Sequence, residues 1–523
     1  MAIINAVNFN NIRSLTNENY IELKPLTILV GKNSVGKSTF ARTFPLIRQS
    51  CEATKKSPIL WYGKYVDFGD YETAINKYKA EDGIKLGFNI SLSGSEILDI
   101  LDTDYAFRAQ FGHEFFRKIS KIDNKIKLKI EFMFKKNKDE SYSYNIGLSL
   151  LENTIKINLN KDEIDVEVNK VKYNLNKDKR YTFNQNKILP GLSLNIETEK
   201  KIFNYGFNYF HFQNHIFIQL LDEYFKKNKD KKNLLPENNN ERLEHYSKIL
   251  SYLNYEIIQK IDKNLLKNIN RPPIELNIID TIDIMEFEKI FWVSKTSKLL
   301  DFIDDIIFDY FSKVQYLEPL RATAQRYYRK QEYAIDEVDS KGSNIGMFML
   351  EHHKQTKLKR LIKNHFNLEF IAEQENSHIT LKLLLENSDK INLADLGVGY
   401  SQLLPVILQL WNSAYNNHNV INKCVVVEQP ELHLHPAYQA KIADITTEII
   451  NDLKKSKKRQ SFIFETHSQN LINRLGELIE DGKLDHNEVQ ILIFDNDQNS
   501  THITHSKFNE EGILENWPFG FFN

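Results

Sequence analysis

The most constraining feature of the sequence is the segment GKNSVGKST, residues 31–39, which directly follows the apolar run LTILV. It satisfies the phosphate-loop pattern G-x-x-x-x-G-K-[ST]. The glycines let backbone N–H groups surround phosphates, Lys37 adds a positive charge, and the hydroxyl of Ser38 can ligate Mg²⁺. A glycine-rich turn without a ligand is the weaker interpretation, because a strand precedes the segment and a helical pattern follows it. The predicted nucleotide-binding residues are Asn33, Ser34, Val35, Gly36, Lys37, Ser38 and Thr39.

The composition is that of an ordinary soluble globular protein, with 41% hydrophobic and 27% charged residues among 523. The 69 lysines and arginines nearly cancel the 70 aspartates and glutamates, so a nucleic-acid contact would need a local patch or a partner. Two cysteines, Cys51 and Cys424, exclude a disulfide framework and fit a reducing compartment. The sequence contains no signal peptide and no apolar run of membrane-spanning length, so we expect a cytoplasmic protein.

Hydrophobic periodicity divides the chain into four segments. Residues 1–82 are predicted to form strand, phosphate loop and helix, with Pro45 kinking or interrupting the helix. Residues 83–204 alternate apolar and polar positions, which predicts antiparallel strands with one wet face. Residues 205–313 have helical spacing, and residues 314–523 alternate strands such as VQYLEP, ITLKLLL and CVVVEQP with helices, which predicts a mostly parallel sheet. The predicted fold class is α/β, with a β-then-helical region inserted into the parallel-sheet unit.

A lysine-rich run, KKNKDKK, occupies residues 226–232 in the helical segment. It could contact nucleic acid, but it has no interleaved aromatic residues on which bases would stack. We therefore interpret it as a solvated loop.

The segment CVVVEQPELHLHP, residues 424–436, is a buried strand that ends in carboxylates. Such a strand can hold Mg²⁺ opposite the hydroxyl of Ser38, and we assign that role to Glu428. A surface acidic turn is disfavoured by the three valines that come immediately before. His433 and His435 form an H-x-H pair, but a zinc site would need a further suitably spaced Cys or carboxylate ligand.

Two more segments could complete a phosphate site. SFIFETHS is a strand that leads to His467, whose ring could donate a hydrogen bond to a γ-phosphate or an attacking water, although a lone histidine is usually structural. LADLGVGYSQLLPVI places Gly399 and Ser401 at the start of an amphipathic helix, where backbone N–H groups attract anions. Helix starts with Gly and Ser are common, so this signal is weak by itself.

In this order the four segments resemble the head of an ABC-type ATPase, as in RecF, SMC-like and overcoming-lysogenization-defect (OLD) proteins. The resemblance covers residues 1–80 and 314–523, and it implies an ABC-type ATPase head that uses ATP and Mg²⁺. LGVGYSQ stands where such heads carry their signature motif, so Gly399 and Ser401 would contact ATP bound to the other subunit of a homodimer or higher homo-oligomer. VVVEQPELHLHP stands for the Walker B motif and D-loop, and ETHS for the switch histidine, His467.

Shorter segments narrow the resemblance. NFNNIRS, YVDFGDYE, YLEPLRATAQRYY, KGSN and the terminal GILENWPFGFF are similar to bacterial ABC ATPases that end in a short WP-x-GFF domain. That group includes or closely resembles ATPase subunits of Septu and Septu-containing retron phage-defence systems, in which an HNH nuclease is the partner. The resemblance thus implies a nuclease partner, with nucleic acid or a retron reverse transcriptase–DNA complex as further partners, and no membrane.

The sequence departs from these families in two ways. ABC ATPases place a catalytic Glu directly after the Mg²⁺-binding acid, whereas here that position is Gln429, which can orient a water but cannot accept its proton. A general base contributes about 10²–10⁴-fold, so turnover should be slow unless Glu431 substitutes. OLD nucleases continue into an acidic nuclease domain after the switch histidine, which the residues after His467 are too few to build, so we expect no nuclease activity of this chain alone.

Three hypotheses follow. The first is a regulatory ATPase whose two heads bind ATP between Lys37 and Ser38 of one subunit and Ser401 of the other, with slow hydrolysis controlling a nuclease effector. The second is a RecF- or SMC-like ATPase that binds DNA directly in repair or maintenance. The third is a scaffold that binds ATP and never hydrolyses it.

Overall fold

The computed structural model describes residues 2–101, 117–122, 126–161, 163–175, 181–184, 187–194, 214–228, 236, 238–261, 281–332, 334–384, 390–416, 423–497 and 500–518. Most of the KKNKDKK run and the end of the WPFGFF segment lie outside these described residues. Within them, no helix has the length and apolar composition needed to cross a membrane.

The described chain builds two large sheets and two small ones, with helices packed on them. The strands are β1 (Ile3–Ile12), β2 (Leu15–Thr16), β3 (Ile21–Glu22), β4 (Leu26–Gly31), β5 (Ile84–Leu92), β6 (Ile126–Lys136), β7 (Tyr142–Leu150), β8 (Asn153–Leu159), β9 (Ile164–Val168), β10 (Val171–Asn174), β11 (Tyr181–Asn184), β12 (Gly191–Leu194), β13 (Gln315–Leu317), β14 (Tyr328–Arg329), β15 (Glu369–Glu375), β16 (His378–Leu384), β17 (Lys390–Asn392), β18 (Lys423–Glu428), β19 (Gln460–Glu465), β20 (Val489–Asp497), β21 (Ser500–Phe508) and β22 (Leu514–Glu515). The helices are α1 (Lys37–Glu52), α2 (Tyr71–Ala74), α3 (Gly94–Leu101), α4 (His215–Lys227), α5 (Asn239–Ile261), α6 (Thr281–Ser294), α7 (Thr296–Phe311), α8 (Ile345–His352), α9 (Thr356–Phe366), α10 (Val398–Trp411), α11 (Pro436–Lys455) and α12 (Gln469–Glu480).

The phosphate-loop strand β4 lies inside a seven-stranded sheet of order β13-β18-β19-β4-β20-β21-β22. The strands from β13 to β20 in that order pair in parallel, and β21 and β22 run antiparallel. All residues of β4, β18 and β19 are buried, because α1 and α7 cover one face and α10, α11 and α12 cover the other. The predicted mostly parallel sheet is confirmed, and the carboxyl ends of β4, β18 and β19 meet at one edge.

The second large sheet is antiparallel, with order β10-β9-β8-β7-β6-β5-β1-β2 and with β3 paired to β1. Every second residue of β8, from Asn153 to Leu159, is buried, and the residues between them are exposed. This is the period-two pattern of strands with one wet face. The N-terminal strand β1 pairs with β5 over Ile3 to Asn10, so residues before the predicted boundary at 82 share this sheet.

The prediction that ITLKLLL joins the parallel sheet is wrong. Its strand, β16, lies in a small antiparallel sheet with β14, β15 and β17, packed under α8. Along β16 the burial alternates between buried and more exposed residues, whereas the parallel strands β18 and β19 are buried on both faces. The alternation is the signal of a one-sided antiparallel strand.

The sequence predicts a kink or an interruption of helix α1 at Pro45. The helix is not interrupted there, and it continues to Glu52. A proline inside a helix removes one backbone hydrogen bond. The apolar side of α1 compensates, since Phe40, Phe44 and Ile47 are buried in the core around it.

An aromatic cluster joins α1 and α7 to the antiparallel sheet. The Phe311 ring lies 6.0 Å from Phe44 and 5.6 Å from Phe88, centroid to centroid, and Phe311 is buried. We expect Phe311→Ala to lower the free energy of unfolding by about 3–5 kcal/mol, because it empties a close-packed core position. Phe308→Ala on the same helix is the matched control: Phe308 is 50% exposed, so its effect should stay within about 0.5 kcal/mol. Urea titration of both variants measures the difference, and equal effects would contradict this packing.

Candidate active site

The phosphate loop lies between β4 and α1 in a conformation that requires its glycines. Gly31 has φ +148° and Gly36 has φ +102°. A Cβ on Gly31 would lie 2.3 Å from the carbonyl oxygen of Phe494, and one on Gly36 would lie 2.9 Å from Thr501 Oγ1. Thr501 in turn donates a hydrogen bond of 2.9 Å to the carbonyl of Val35, so β21 supports the loop from the side. Lys32, Asn33 and Ser34 are exposed at its tip, where a ligand could reach their backbone.

The Lys37 side chain is folded back into this loop. Its Nζ donates hydrogen bonds of 2.9 Å to the carbonyl of Gly31 and 2.6 Å to the carbonyl of Lys32. Burial lowers the pKa of Lys37, and the nearby charge of Glu465 opposes that shift. The ammonium therefore stands at the concave side of the loop, as a phosphate-binding lysine must.

Ser38 contacts a carboxylate that the sequence analysis did not single out. Ser38 Oγ donates a hydrogen bond of 2.8 Å to Glu465 Oε1. Glu465 ends β19 and is buried, and its Oε2 has no hydrogen-bond partner among the described residues. Burial and then the neighbouring charge of Glu428 raise the pKa of Glu465 to about 7. The available signal was the strand SFIFE, a second apolar run that ends in an acid just before the switch histidine.

Glu428, the predicted partner of Ser38 at the Mg²⁺ site, is engaged elsewhere. Its two carboxylate oxygens accept hydrogen bonds of 2.7 and 2.8 Å from Nε and Nη2 of Arg42, and Oε1 accepts another of 2.6 Å from Tyr316 Oη. The sheet order explains the difference, because β19 lies between β4 and β18 and carries its own terminal carboxylate closer to the loop. Ser38 therefore pairs with Glu465, and the assignment of Glu428 as the acid that holds Mg²⁺ stays a prediction.

The segment after β18 is tied to the segment after β19. Gln429 has φ +44°, and its backbone N–H donates a hydrogen bond of 2.7 Å to the carbonyl of Glu465. Glu431 Oε1 accepts a hydrogen bond of 2.7 Å from the backbone N–H of His467, and burial raises the pKa of Glu431. Arg321 Nη2 donates to the carbonyls of Glu428 and Gln429 at 2.8 and 3.2 Å. In this arrangement the Glu431 carboxylate holds the His467 backbone, while Gln429 begins the turn, where its carbonyl accepts from the backbone N–H of Leu432.

His467 is exposed, and its ring is close enough to the phosphate loop to respond to the charge of Lys37. Burial and then that charge lower the pKa of His467. The imidazole is therefore mostly neutral at pH 7 and can offer one donor and one acceptor nitrogen. A neutral ring that offers one donor and one acceptor nitrogen suits a residue that faces a phosphate.

The start of α10 presents backbone to the surface, but not the Ser401 hydroxyl. Ser401 is buried, and its Oγ donates a hydrogen bond of 2.7 Å to the carbonyl of Val398 in the same helix. Val398 itself is 49% exposed, Gly397 precedes it as the exposed N-cap, and Gly399 is half-buried. A contact across a subunit interface is thus open to the backbone of Gly397–Gly399. The Ser401 contact stays a prediction, and through the side chain it would require the hydroxyl to give up its hydrogen bond to Val398.

The two histidines of the H-x-H pair have separate local roles. His435 is the N-cap of α11, where its Nδ1 accepts from the backbone N–H of Ala437 at 3.2 Å, and His433 has φ +62° in the preceding turn. Among the described residues, no group of three or more Cys, His, Asp or Glu side chains is arranged to hold a metal ion.

Comparison with known proteins identifies one family model. The model described as AAA ATPase domain matches residues 3–472 of the chain. No curated protein matches the sequence.

Solved structures of SMC head domains are remotely similar to the chain. The Smc head with an extended coiled coil bound to the C-terminal domain of ScpA, from Pyrococcus furiosus, is 9% identical over 97% of this chain and 96% of that one, with a TM-score of 0.33. The Smc head with a coiled coil and joint from Pyrococcus yayanosii is 10% identical over 98% of each chain, with a TM-score of 0.34. The SMC head from Thermotoga maritima is 9% identical over 96% of this chain and 98% of that one, with a TM-score of 0.32. These similarities are too remote to support a conclusion about function.

Proposed function

Because the chain belongs to the AAA ATPase domain family and is therefore an ATPase, we propose that it is a slow ABC-type regulatory ATPase, whose nucleotide state controls a partner nuclease in an antiphage defence system. The single observation that supports the regulatory role is the glutamine at position 429. A side chain that cannot accept a proton occupies the position directly after Glu428, where ABC-type ATPases carry their catalytic glutamate. An enzyme that turns over slowly spends most of its time in the ATP-bound state, which suits a switch better than a motor.

The surroundings of the turn support slow hydrolysis. Glu431, the nearest alternative base on that turn, uses one carboxylate oxygen to hold the His467 backbone at 2.7 Å. Burial raises the pKa of Glu431, the direction expected for a carboxylate removed from water. Its other carboxylate oxygen, Oε2, is buried and has no hydrogen-bond partner among the described residues. We therefore keep Glu431 as the secondary candidate base and Gln429 with His467 as the groups that orient the attacking water.

The nuclease partner is supported by the segments that resemble Septu-type ATPases, among them YVDFGDYE at residues 65–72 and YLEPLRATAQRYY at residues 316–328. The second of these reaches directly into the site. Tyr316 Oη donates to Glu428, and Arg321 binds the carbonyls of Glu428 and Gln429. This segment therefore connects the nucleotide site to residues outside it, which is what control of a partner requires.

A homodimer that sandwiches ATP is part of the proposal, and Gly399 provides its test. We expect Gly399→Asp to weaken ATP-induced dimerisation by about 10-fold or more, since a carboxylate would face the phosphates bound by the other subunit and like charges repel strongly at interfaces. Light scattering with and without ATP and Mg²⁺ measures the effect.

Gly399→Ala is the matched control, because it adds the Cβ, 3.0 Å from the carbonyl of His433, without the charge. We expect this variant to dimerise. ATP-dependent dimers of Gly399→Asp as stable as those of the natural chain would rule out the α10 start as the in trans contact.

The second candidate function is a RecF- or SMC-like ATPase that binds DNA, and one surface favours it. The end of α11 and the turn before β19 read KKSKKR, residues 454–459, in which Lys455, Lys457 and Arg459 are exposed and Lys454 forms an ion pair of 2.7 Å with Glu488. Because β19 runs from this turn towards the phosphate loop, the basic turn lies at the opposite edge of the parallel sheet. A local basic patch of this kind can bind nucleic-acid phosphates despite a net charge near zero.

Co-purification separates the two candidates. The tagged chain is expressed from its own locus with the flanking genes, recovered in ATP and Mg²⁺, and its bound partners are identified by mass spectrometry. We expect a stoichiometric nuclease, with or without a reverse transcriptase–DNA complex. Recovery of the chain alone, or with DNA only, would instead favour the DNA-binding ATPase.

A further inference from the structure

We infer that Glu465 is the carboxylate that positions the Ser38 hydroxyl for the divalent cation of bound Mg·ATP. This inference rests on the proposed ATP site and names the residue that serves its metal side. Glu465 acts through Ser38, so it is a positioning residue. Mg²⁺, when bound, supplies the positive charge that offsets the negative charge of the phosphates.

The first support is the contact itself. A serine hydroxyl that ligates a cation through a lone pair still has a proton to donate, and an acceptor must hold that proton away from the metal. Ser38 Oγ donates to Glu465 Oε1 at 2.8 Å, so the required acceptor is already in place. The hydroxyl is thereby fixed with its lone pairs free.

The second support is the remaining oxygen of Glu465. Oε2 is buried and has no hydrogen-bond partner among the described residues, although Glu465 is only 4% exposed. A buried carboxylate oxygen without a donor costs free energy, and a positive charge bound beside Ser38 would offset that cost. Carboxylate and hydroxyl oxygens are also the ligands that Mg²⁺ prefers, so Mg²⁺ fits this site.

The third support is that the competing carboxylate is occupied. Glu428 accepts three hydrogen bonds, two from Arg42 and one from Tyr316, so both of its oxygens are already held by a cation and a hydroxyl. A bidentate Arg–carboxylate pair is among the stronger side-chain contacts in proteins. Recruiting Glu428 to a metal would require that pair to separate, whereas Glu465 requires no such change.

The fourth support is the rigidity of the β19 end. The backbone N–H of Thr466 donates to the carbonyl of Leu29 at 3.1 Å, and the carbonyl of Glu465 accepts from Gln429 at 2.7 Å. The end of β19 is therefore held from both neighbouring strands. A side chain on such a backbone can keep a hydroxyl oriented more accurately than one on a free loop.

The test separates metal-dependent from metal-independent ATP binding. The affinity for a fluorescent ATP analogue is measured in EDTA and across a Mg²⁺ titration for the natural chain and for Glu465→Gln, Glu428→Gln and Ser38→Ala. Glu465→Gln preserves volume and removes the charge. We expect it to raise the Mg²⁺ concentration for half-maximal enhancement by about 10- to 100-fold, the usual cost of losing a residue that orients a metal ligand, with a much smaller change of affinity in EDTA.

The double variant Ser38→Ala/Glu465→Gln tests whether the two residues act together on the Mg²⁺ requirement. A purely structural role of Glu465 would not couple it to Ser38 in this titration. If Glu465 acts through Ser38, the double variant should need no more Mg²⁺ than the worse single variant, whereas independent roles would give multiplicative effects. Multiplicative effects, or a Glu465→Gln titration that matches the natural chain, would overturn the inference. So would a loss of the Mg²⁺ effect in Glu428→Gln alone. Thermal unfolding of each variant controls for misfolding.

Different results would overturn the role of Glu465 and the proposed ATP site. A natural chain that binds ATP, with a Glu465→Gln titration unchanged, removes only the role of Glu465. A natural chain that binds no ATP analogue, with or without Mg²⁺, removes the proposed ATP site and this inference together.

Discussion

Replacing Lys37 by alanine is expected to weaken ATP binding by about 100-fold or more and to abolish hydrolysis. The Lys37 ammonium stands inside the phosphate loop, where it now binds the carbonyls of Gly31 and Lys32 at 2.9 and 2.6 Å. Hydrogen bonds from charged donors contribute about 1.5–3 kcal/mol each, and each 1.4 kcal/mol is a factor of ten in affinity, so losing two phosphate contacts accounts for about that effect. Titration calorimetry with ATP and Mg²⁺ measures the change.

Lys32→Ala is the control for the Lys37 experiment. Lys32 lies in the same loop but is exposed. We expect its removal to change the affinity by less than about 3-fold, because exposed charges interact weakly with a bound ligand in water. Equal losses in the two variants would mean that general electrostatic attraction binds the nucleotide. If Lys37→Ala retained every biological activity of the chain, a scaffold that never hydrolyses ATP would be the better account.

Replacing Gln429 by glutamate is expected to raise the rate of ATP turnover by about 100-fold, within the range that a positioned general base contributes. The position accepts a carboxylate for two reasons. Its backbone, at φ +44°, already holds a residue with the same branching as Glu. The turn is anchored by the hydrogen bond from the Gln429 backbone to Glu465 and by Arg321, neither of which uses the Gln429 side chain. Steady-state phosphate release measures the rate.

Gln469→Glu is the matched control, because it adds the same charge at the exposed first residue of α12, close in sequence to His467. We expect its turnover to stay within about 2-fold of the natural chain, because exposed charges are screened by solvent. If Gln429→Glu were no faster than the natural chain, the missing base would not be the cause of slow turnover, and Glu431 would become the stronger candidate.

The elements that local pattern determines could be predicted from the sequence. The phosphate loop was recognisable because the fixed spacing of Gly31, Gly36 and Lys37 reflects backbone that must surround phosphate. The parallel strands were recognisable as continuous apolar runs, and the antiparallel strands from Ile84 to Asn174 by their alternation. In each case the residues whose pattern determines the element lie within about ten positions of one another in the sequence.

What depends on the order of strands could not be predicted. Ser38 meets Glu465 because β19 inserts between β4 and β18, and strand order is a property of the whole fold. The same limit explains Glu428, whose partners Arg42 and Tyr316 both precede it by more than one hundred residues. Strand order also explains why the sequence pattern assigns β16 to the parallel sheet, whereas β16 lies in a small antiparallel sheet.

Side-chain direction within an element is a further property that the sequence does not give. Ser401 lies at a helix start that could bind an anion, yet its hydroxyl bonds to its own helix at Val398. Serine hydroxyls often satisfy themselves on the preceding helical turn, so the residue type alone does not give the direction. Helix α1 continues past Pro45 because its burial in the core outweighs one lost backbone hydrogen bond.

The turnover number of the isolated chain shows directly whether it hydrolyses ATP slowly. Purified protein is mixed with saturating ATP and Mg²⁺, and phosphate release is followed with Lys37→Ala as the blank. We expect hydrolysis that depends on Lys37 and runs well below about one turnover per second, which is under the usual range for enzymes. Turnover at about tens per second by the natural chain would contradict it, because such a rate requires a working base that Gln429 cannot supply.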